Sequence, residues 1–197
     1  MTRPLILASK SAARRAMLDA AGVAYDSVPA DIDERAVEAG LAGAAPAAVA
    51  EALAVAKAAA VADLHPLALV LGSDSLVVAK GRRFDKPRTV EEAAAHLRFF
   101  SGTIMELHSA AALVRDGGCQ WSHASIARLH VRDLSEDFIA HYLALEWPAI
   151  SHTVGAFRIE GPGVQLFDAI EGDQFTVLGM PLLPLLEALR DEGVLLA

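Results

Sequence analysis

The chain has 197 residues, 54% of them apolar and 21% charged, with a formal net charge of −8 and one cysteine. That length predicts one domain, residues 1–197, with a sizeable core, and the acid excess argues against a nucleic-acid polymer as partner. Forty alanines raise the mean hydropathy to +0.37 without producing any run of about 18 uncharged apolar residues, so no membrane helix is expected, and lone Cys119 excludes a disulfide framework.

Leu5-Ile6-Leu7-Ala8 reads as a short buried strand, too brief for a signal-peptide core, and a cytoplasmic protein is expected. Ser11 is placed to cap a helix that runs to Gly22, with Leu18 and Ala21 facing inward. A second strand is predicted over 23–28, then an acidic loop, Asp31-Ile32-Asp33-Glu34-Arg35. Residues 36–62 hold 15 alanines, and a long helix is expected after Pro46, with Leu53 and Leu64 on its apolar stripe.

Ala68 to Leu71 forms an apolar run that Gly72-Ser73-Asp74 is expected to end, before Leu76-Val77-Val78 resumes toward a turn at Lys80-Gly81-Arg82-Arg83. Thr89-Val90-Glu91-Glu92 is a capping-box pattern, so a helix should follow to about Phe100 and stop at Gly102. Strands over 104–114 and 119–131 flank Asp116-Gly117-Gly118, a hairpin signal. Ser135 is placed to cap a helix ending before Pro148, and Pro181 to Glu192 makes a last helix. Helices alternate with strands, and two long hairpin strands argue against a fully parallel sheet: the class is α/β with a mixed sheet.

No Walker-type phosphate loop, G-x-G-x-x-G or G-x-S-x-G elbow is present. His123 and His130, seven apart on one strand, fall on opposite faces and share no metal there. Three constellations remain. Ser9, Lys10, Ser11, Arg14 and Arg15 lie between a strand and a helix, where hydroxyls, early N–H groups and guanidinium donors suit an anion; a plain cap with two exposed arginines explains them equally well. Asp74 ends a buried apolar run, a place where a carboxylate binds a divalent ion, orients a water or merely serves a turn. Lys86 follows a basic turn and suits phosphate charge, whereas Lys57 and Glu34 also read as ordinary surface residues.

Taken in order, Ser9-x-Ser11-x-x-Arg14-Arg15, Asp33-Glu34, Lys57-Ala58, Leu71-Gly72-Ser73-Asp74, Lys86-Pro87, Ser101-Gly102 and the tail Gly161-x-Gly163, Glu171-Gly172, Val177-x-Gly179-x-Pro181-Leu182 resemble the Maf proteins over nearly the whole chain. These are nucleoside triphosphate pyrophosphatases, also called septum-formation inhibitors. The resemblance implies an elongated mixed α/β fold of two lobes with a central cleft, similar to the inosine triphosphate pyrophosphatases. It also implies hydrolysis between the α- and β-phosphates, a divalent cation such as Mg²⁺ or Mn²⁺, and homodimers in some members.

Carried over by position, Asp74 becomes the catalytic carboxylate, with Glu34 as a second acid near the metal. Ser9, Ser11, Arg14, Arg15, Lys57 and Lys86 become the triphosphate contacts. Where the family commonly reads S-x-S-P-R-R, Ala12 stands for the proline and Ala13 for the first arginine. Glu160, in Ile159-Glu160-Gly161, sides with a branch carrying S-E-G, which resembles the 7-methyl-GTP pyrophosphatases; Ser75 matches neither branch. Positions 13, 75 and 160 are therefore the expected specificity contacts. The alternatives are a dTTP/UTP pyrophosphatase of the same family, a nucleotide-binding septation regulator with little turnover, and a nucleotidyltransferase.

Overall fold

A computed structural model describes residues 4–196. Among these residues seven strands form a mixed sheet in the order β2-β1-β3-β5-β6-β7, with β4 paired to β3. β1 (Leu5–Leu7) runs parallel to both β2 (Asp26–Ser27) and β3 (Leu69–Ala79), whereas β4 (Arg82–Phe84) is antiparallel to β3. β5 (Ile104–Arg115) and β6 (Gly118–Val131) are joined at Asp116 and Gly117, both at positive φ, the geometry of a two-residue primed turn. β7 (Phe167–Glu171) pairs antiparallel with β6. This is the α/β class with a mixed sheet that the alternating pattern predicts.

The chain divides into two compact units. The first comprises the chain up to Ser75, His108–Ser125 and the chain from Gln174 on. Its core joins Leu5 and Leu7 of β1 to Leu69 and Leu71 of β3, to Met17 and Leu18 of α1 (Ala12–Ala20), and to Leu185 and Leu189 of a C-terminal helix, Leu182–Asp191. Met17 takes the inward position expected of Ala21, which is exposed. α2 (Glu34–Ala39) replaces the expected acidic loop, because the Asp33 side chain accepts from the Ala36 N–H at 3.1 Å and so caps a helix. The second strand is only two residues long.

α3 (Pro46–Ala62) starts with proline at its first position, as expected, but ends before Leu64, which is exposed and on no stripe. Its Ala54, Ala58, Val61 and Ala62 are buried. The expected break at Gly72-Ser73-Asp74 is absent, and β3 continues through it. Gly72 serves close packing instead. A Cβ there would sit 2.0 Å from the Ala54 carbonyl oxygen and 2.8 Å from the Ala58 nitrogen, so α3 and β3 touch backbone to backbone.

The second unit comprises Leu76–Leu107 and Ile126–Asp173. α4 (Val90–Phe100) is capped by Thr89, which accepts from the Glu92 N–H at 3.2 Å. The return arm of the capping box is displaced by one residue, since Glu92 accepts from the Arg88 N–H at 2.8 Å. Phe84 packs at ring-centroid distances of 4.7 Å to Phe100 and 5.0 Å to both Phe99 and His96. Each such aromatic pair contributes about 0.5–1.5 kcal/mol beyond area burial. α5 (Glu136–Glu146) is capped by Ser135, and its Tyr142 hydroxyl donates to the Ala156 carbonyl at 3.2 Å. Burial pushes that phenol above its ordinary pKa, with Glu146 adding to the effect. Among the described residues, no helix is long and apolar enough to cross a membrane.

Candidate active site

The close approach at Gly72 sets the geometry around Asp74. With α3 seated on β3, the Lys57 ammonium reaches Asp74 Oδ1 at 2.5 Å and Glu34 Oε1 at 2.7 Å. The side chains of Lys57 and Asp74 are 14% and 11% exposed, while that of Glu34 is 48% exposed. One ammonium therefore joins a nearly buried carboxylate to one that opens to solvent. Lys57, read in sequence as a triphosphate contact, spends two of its three donors on the two acids. Asp74 keeps Oδ2 outside that bond.

A second cluster lies in the same unit, at the start of α1. Ser11 caps this nine-residue helix by accepting from the Arg14 N–H at 3.3 Å, and Ser9 Oγ accepts from the Ser11 N–H at 3.2 Å. The first turn of α1 holds no acidic residue, so its N–H groups and the positive end of its dipole meet no competing carboxylate from the helix itself. Ala12 is exposed, Ala13 is half-buried and Arg15 is exposed.

Arg14 instead turns into the protein. It donates to the carbonyls of Ser73 and Gly179, both at 2.9 Å, to Ser75 Oγ at 3.0 Å and to Ser9 Oγ at 3.3 Å. Burial lowers its pKa, and the Coulombic pull of Asp74 and then Glu34 works the other way. A guanidinium stays charged through such a shift.

The two remaining candidates belong to the second unit. Lys86 is exposed in the loop after β4. Glu160 is exposed; Arg158 Nε and Nη2 grip the buried Glu146 carboxylate at 2.8 and 3.0 Å, which raises the Arg158 pKa, and Glu160 adds to that effect. Not every cation of the basic turn is free for a ligand. Arg82 lies over the Phe84 ring at 4.8 Å, Lys80 lies over Phe99 at 5.2 Å, and Arg83 pairs with Asp85 at 3.6 Å.

The residue reading missed Ser109 and Thr176. Ser109 Oγ lies 3.0 Å from Ser75 Oγ and donates to the Thr176 carbonyl at 2.8 Å. A serine in the apolar strand β5 carries no local signal for such a partner. Gly179, in sequence no more than a glycine of the tail motif, is a hub: its carbonyl accepts from Arg14 Nε, Ser73 Oγ and Ser75 Oγ.

The fold and these two clusters define an α/β protein with an ammonium-bridged pair of acids beside the N-terminus of a helix. The chain belongs to the Maf family, whose Maf-like protein description matches residues 4–192. It is 50% identical over 197 residues to a 7-methyl-GTP pyrophosphatase of Rhizobium etli, covering 99% of both chains. It is 48% identical to the protein of the same name from Brucella suis, covering 98% of each. It is also 47% identical to a nucleoside triphosphate pyrophosphatase of Rhodopseudomonas palustris, covering 98% of this chain and 95% of that one.

Proposed function

We propose that the chain hydrolyses a nucleoside triphosphate between its α- and β-phosphates, with 7-methyl-GTP as the preferred substrate, and that residues 1–197 act as a single Maf domain. The observation that carries this reading is Asp74, nearly buried and held by Lys57 at one oxygen only. Asp74 orients a water and takes its proton as the water oxygen attacks the α-phosphorus. The bond from that phosphorus to the bridging oxygen breaks, and pyrophosphate leaves with the electron pair.

The Ser9 and Ser11 hydroxyls and the first N–H groups of α1, around Ala13, bind phosphate oxygens, and Arg15 and Lys86 offset their charge. Lys57 keeps Glu34 and Asp74 close despite their like charge. The donor set fits Mg²⁺ or Mn²⁺, hard cations that one or two carboxylates hold together with substrate phosphates. Glu34 and Asp74, brought together by Lys57, would be the protein ligands in this proposal. When bound, such a cation neutralises phosphate charge.

Glu160 serves base selection, whereas Ser75, the other expected specificity contact, has its hydroxyl engaged inside the protein by Arg14 at 3.0 Å. N7 methylation makes guanine cationic, and a carboxylate favours a cation over neutral thymine or uracil. The proposal places the enzyme in the cytoplasm, acting on free nucleotides, which accords with its acidic charge and its single, exposed, unpaired cysteine. A homodimer, the form of some family members, is part of the same reading.

Pyrophosphate release should be measured with Mg²⁺ across 7-methyl-GTP, dTTP, UTP and CTP, with water as the only acceptor. A preference of about tenfold or more for 7-methyl-GTP is expected, equivalent to about 1.4 kcal/mol of transition-state discrimination. Glu160→Gln should shrink that preference while sparing the poorer substrates. The same margin in favour of dTTP or UTP overturns the base assignment. Binding without conversion supports the regulator reading instead, and a requirement for a second acceptor supports a transferase.

A further inference from the structure

We propose that Arg14 is a positioning residue that holds Asp74 in line for hydrolysis, an inference that rests on the function proposed above. The guanidinium grips both neighbours of Asp74 in the chain. Nη1 donates to the Ser73 carbonyl at 2.9 Å, and Nη2 donates to Ser75 Oγ at 3.0 Å. Nε donates to the Gly179 carbonyl at 2.9 Å, and the second Nη1 proton goes to Ser9 Oγ at 3.3 Å. Four of the five N–H donors of Arg14 are thereby used inside the protein. At most one is left for a phosphate, so most of what this side chain does lies elsewhere.

Counting protons shows how the clamp is completed. Ser109 has one hydroxyl proton and gives it to the Thr176 carbonyl at 2.8 Å. Between Ser75 and Ser109, Ser75 is then the donor, and its single proton goes either to Ser109 Oγ or to the Gly179 carbonyl, each at 3.0 Å. In both cases the Ser75 oxygen is left to accept from Arg14. Ser73 Oγ adds a donor to the same Gly179 carbonyl at 3.1 Å.

Gly179 presents that carbonyl from a φ of +100°, and a Cβ there would lie 3.1 Å from Ser75 Oγ, so no side chain fits without moving the clamp. Three of the four partners of Arg14 lie 59, 61 and 165 positions away along the chain. A flat, forked cation is what meets acceptors in such different directions; a lysine ammonium on a flexible stem does not reproduce that planar fork. With the Ser73 carbonyl on one side of Asp74 and the Ser75 side chain on the other held by one guanidinium, its carboxylate has little freedom beyond its own side-chain torsions.

The test uses the full chain and three readouts. Arg14→Lys keeps the charge and removes the fork. Amide hydrogen exchange should accelerate across residues 72–76 and stay unchanged in Leu5–Leu7. On the best triphosphate of the panel kcat should fall by about 100-fold, the cost of slight misplacement, while KM stays within about threefold. Ser75→Ala removes one arm of the same clamp, and the double variant should lose less than the product of the two single losses.

A raised KM with kcat preserved, or multiplicative losses with unchanged exchange, overturns the proposal and makes Arg14 a plain phosphate ligand. If Arg14→Lys does not fold, Ser75→Ala decides: kcat should fall about tenfold at constant KM, and an unchanged kcat overturns the clamp. Should the unmutated protein release no pyrophosphate from any triphosphate, the functional reading fails, and the positioning role fails with it, whatever the exchange data show.

Discussion

Asp74→Asn should remove nearly all pyrophosphate release while leaving the fold in place. The amide is close in shape to the carboxylate and fits the same space, but it accepts no proton from water and carries no charge for Lys57 or a cation. Loss of a positioned base alone costs about 10²–10⁴-fold in rate. Stability should change little. The Lys57 ammonium keeps its bond to Glu34 at 2.7 Å, and the half-exposed Glu34 leaves the cation in contact with solvent. A melting midpoint within a few degrees of the parent, alongside turnover reduced at least about 100-fold, is the expected pair of results. Retention of most activity removes Asp74 from the catalytic role. A collapse in melting temperature together with activity makes it a structural acid.

Gly72→Ala should be the most destabilising small substitution in the first unit. The added methyl would lie 2.0 Å from the Ala54 carbonyl oxygen and 2.8 Å from the Ala58 nitrogen. Both neighbours are backbone atoms, which have no rotamer to swing away, so helix α3 must lift off strand β3. Overpacking of this kind costs about 3 kcal/mol or more, on the order of 10 °C in melting temperature for a chain of this size. Because α3 carries Lys57, the same displacement opens its contact with Asp74, and the fraction that folds should also lose activity. Gly40→Ala is the control. Its φ is −72°, and its added Cβ meets only the Val37 carbonyl oxygen, at 3.5 Å, so melting should be unchanged. Equal melting curves for the two variants would remove Gly72 from its packing role.

This contact also explains the alanine content. Ala54 and Ala58 are fully buried in α3, where larger residues would hold the helix away from β3. In sequence these alanines read as helix filler. Their second use, as small residues that let two backbones touch, is invisible until the partner strand is known. The error at Gly72 has the same root. A glycine before Ser-Asp inside an apolar run is a fair turn signal, and only the helix lying across it shows why the strand continues.

What was legible locally was legible for a local reason. Ser11, Thr89 and Ser135 cap their helices, Pro46 opens α3, and Asp116-Gly117 closes the β5–β6 hairpin, because each rests on bonds or torsions within four residues. Asp33 follows the same rule, although in sequence the acids after it read as a loop. Asp74 stands out at the end of its apolar run, Lys57 and Glu34 only by matching a family pattern, and the structure places both acids on the Lys57 ammonium.

The sequence by itself determined the α/β class, most helix starts and the family, since these depend on short-range torsions, periodicity and ordered motifs. Tertiary structure alone decided what Arg14 and Lys57 bind. One looks like an anion ligand and is used mainly as a brace; the other looks like a surface cation and joins two acids. A charged side chain takes whichever partners packing brings within about 3 Å, and for Arg14 the most distant of these is 165 positions along the chain, where no local rule reaches.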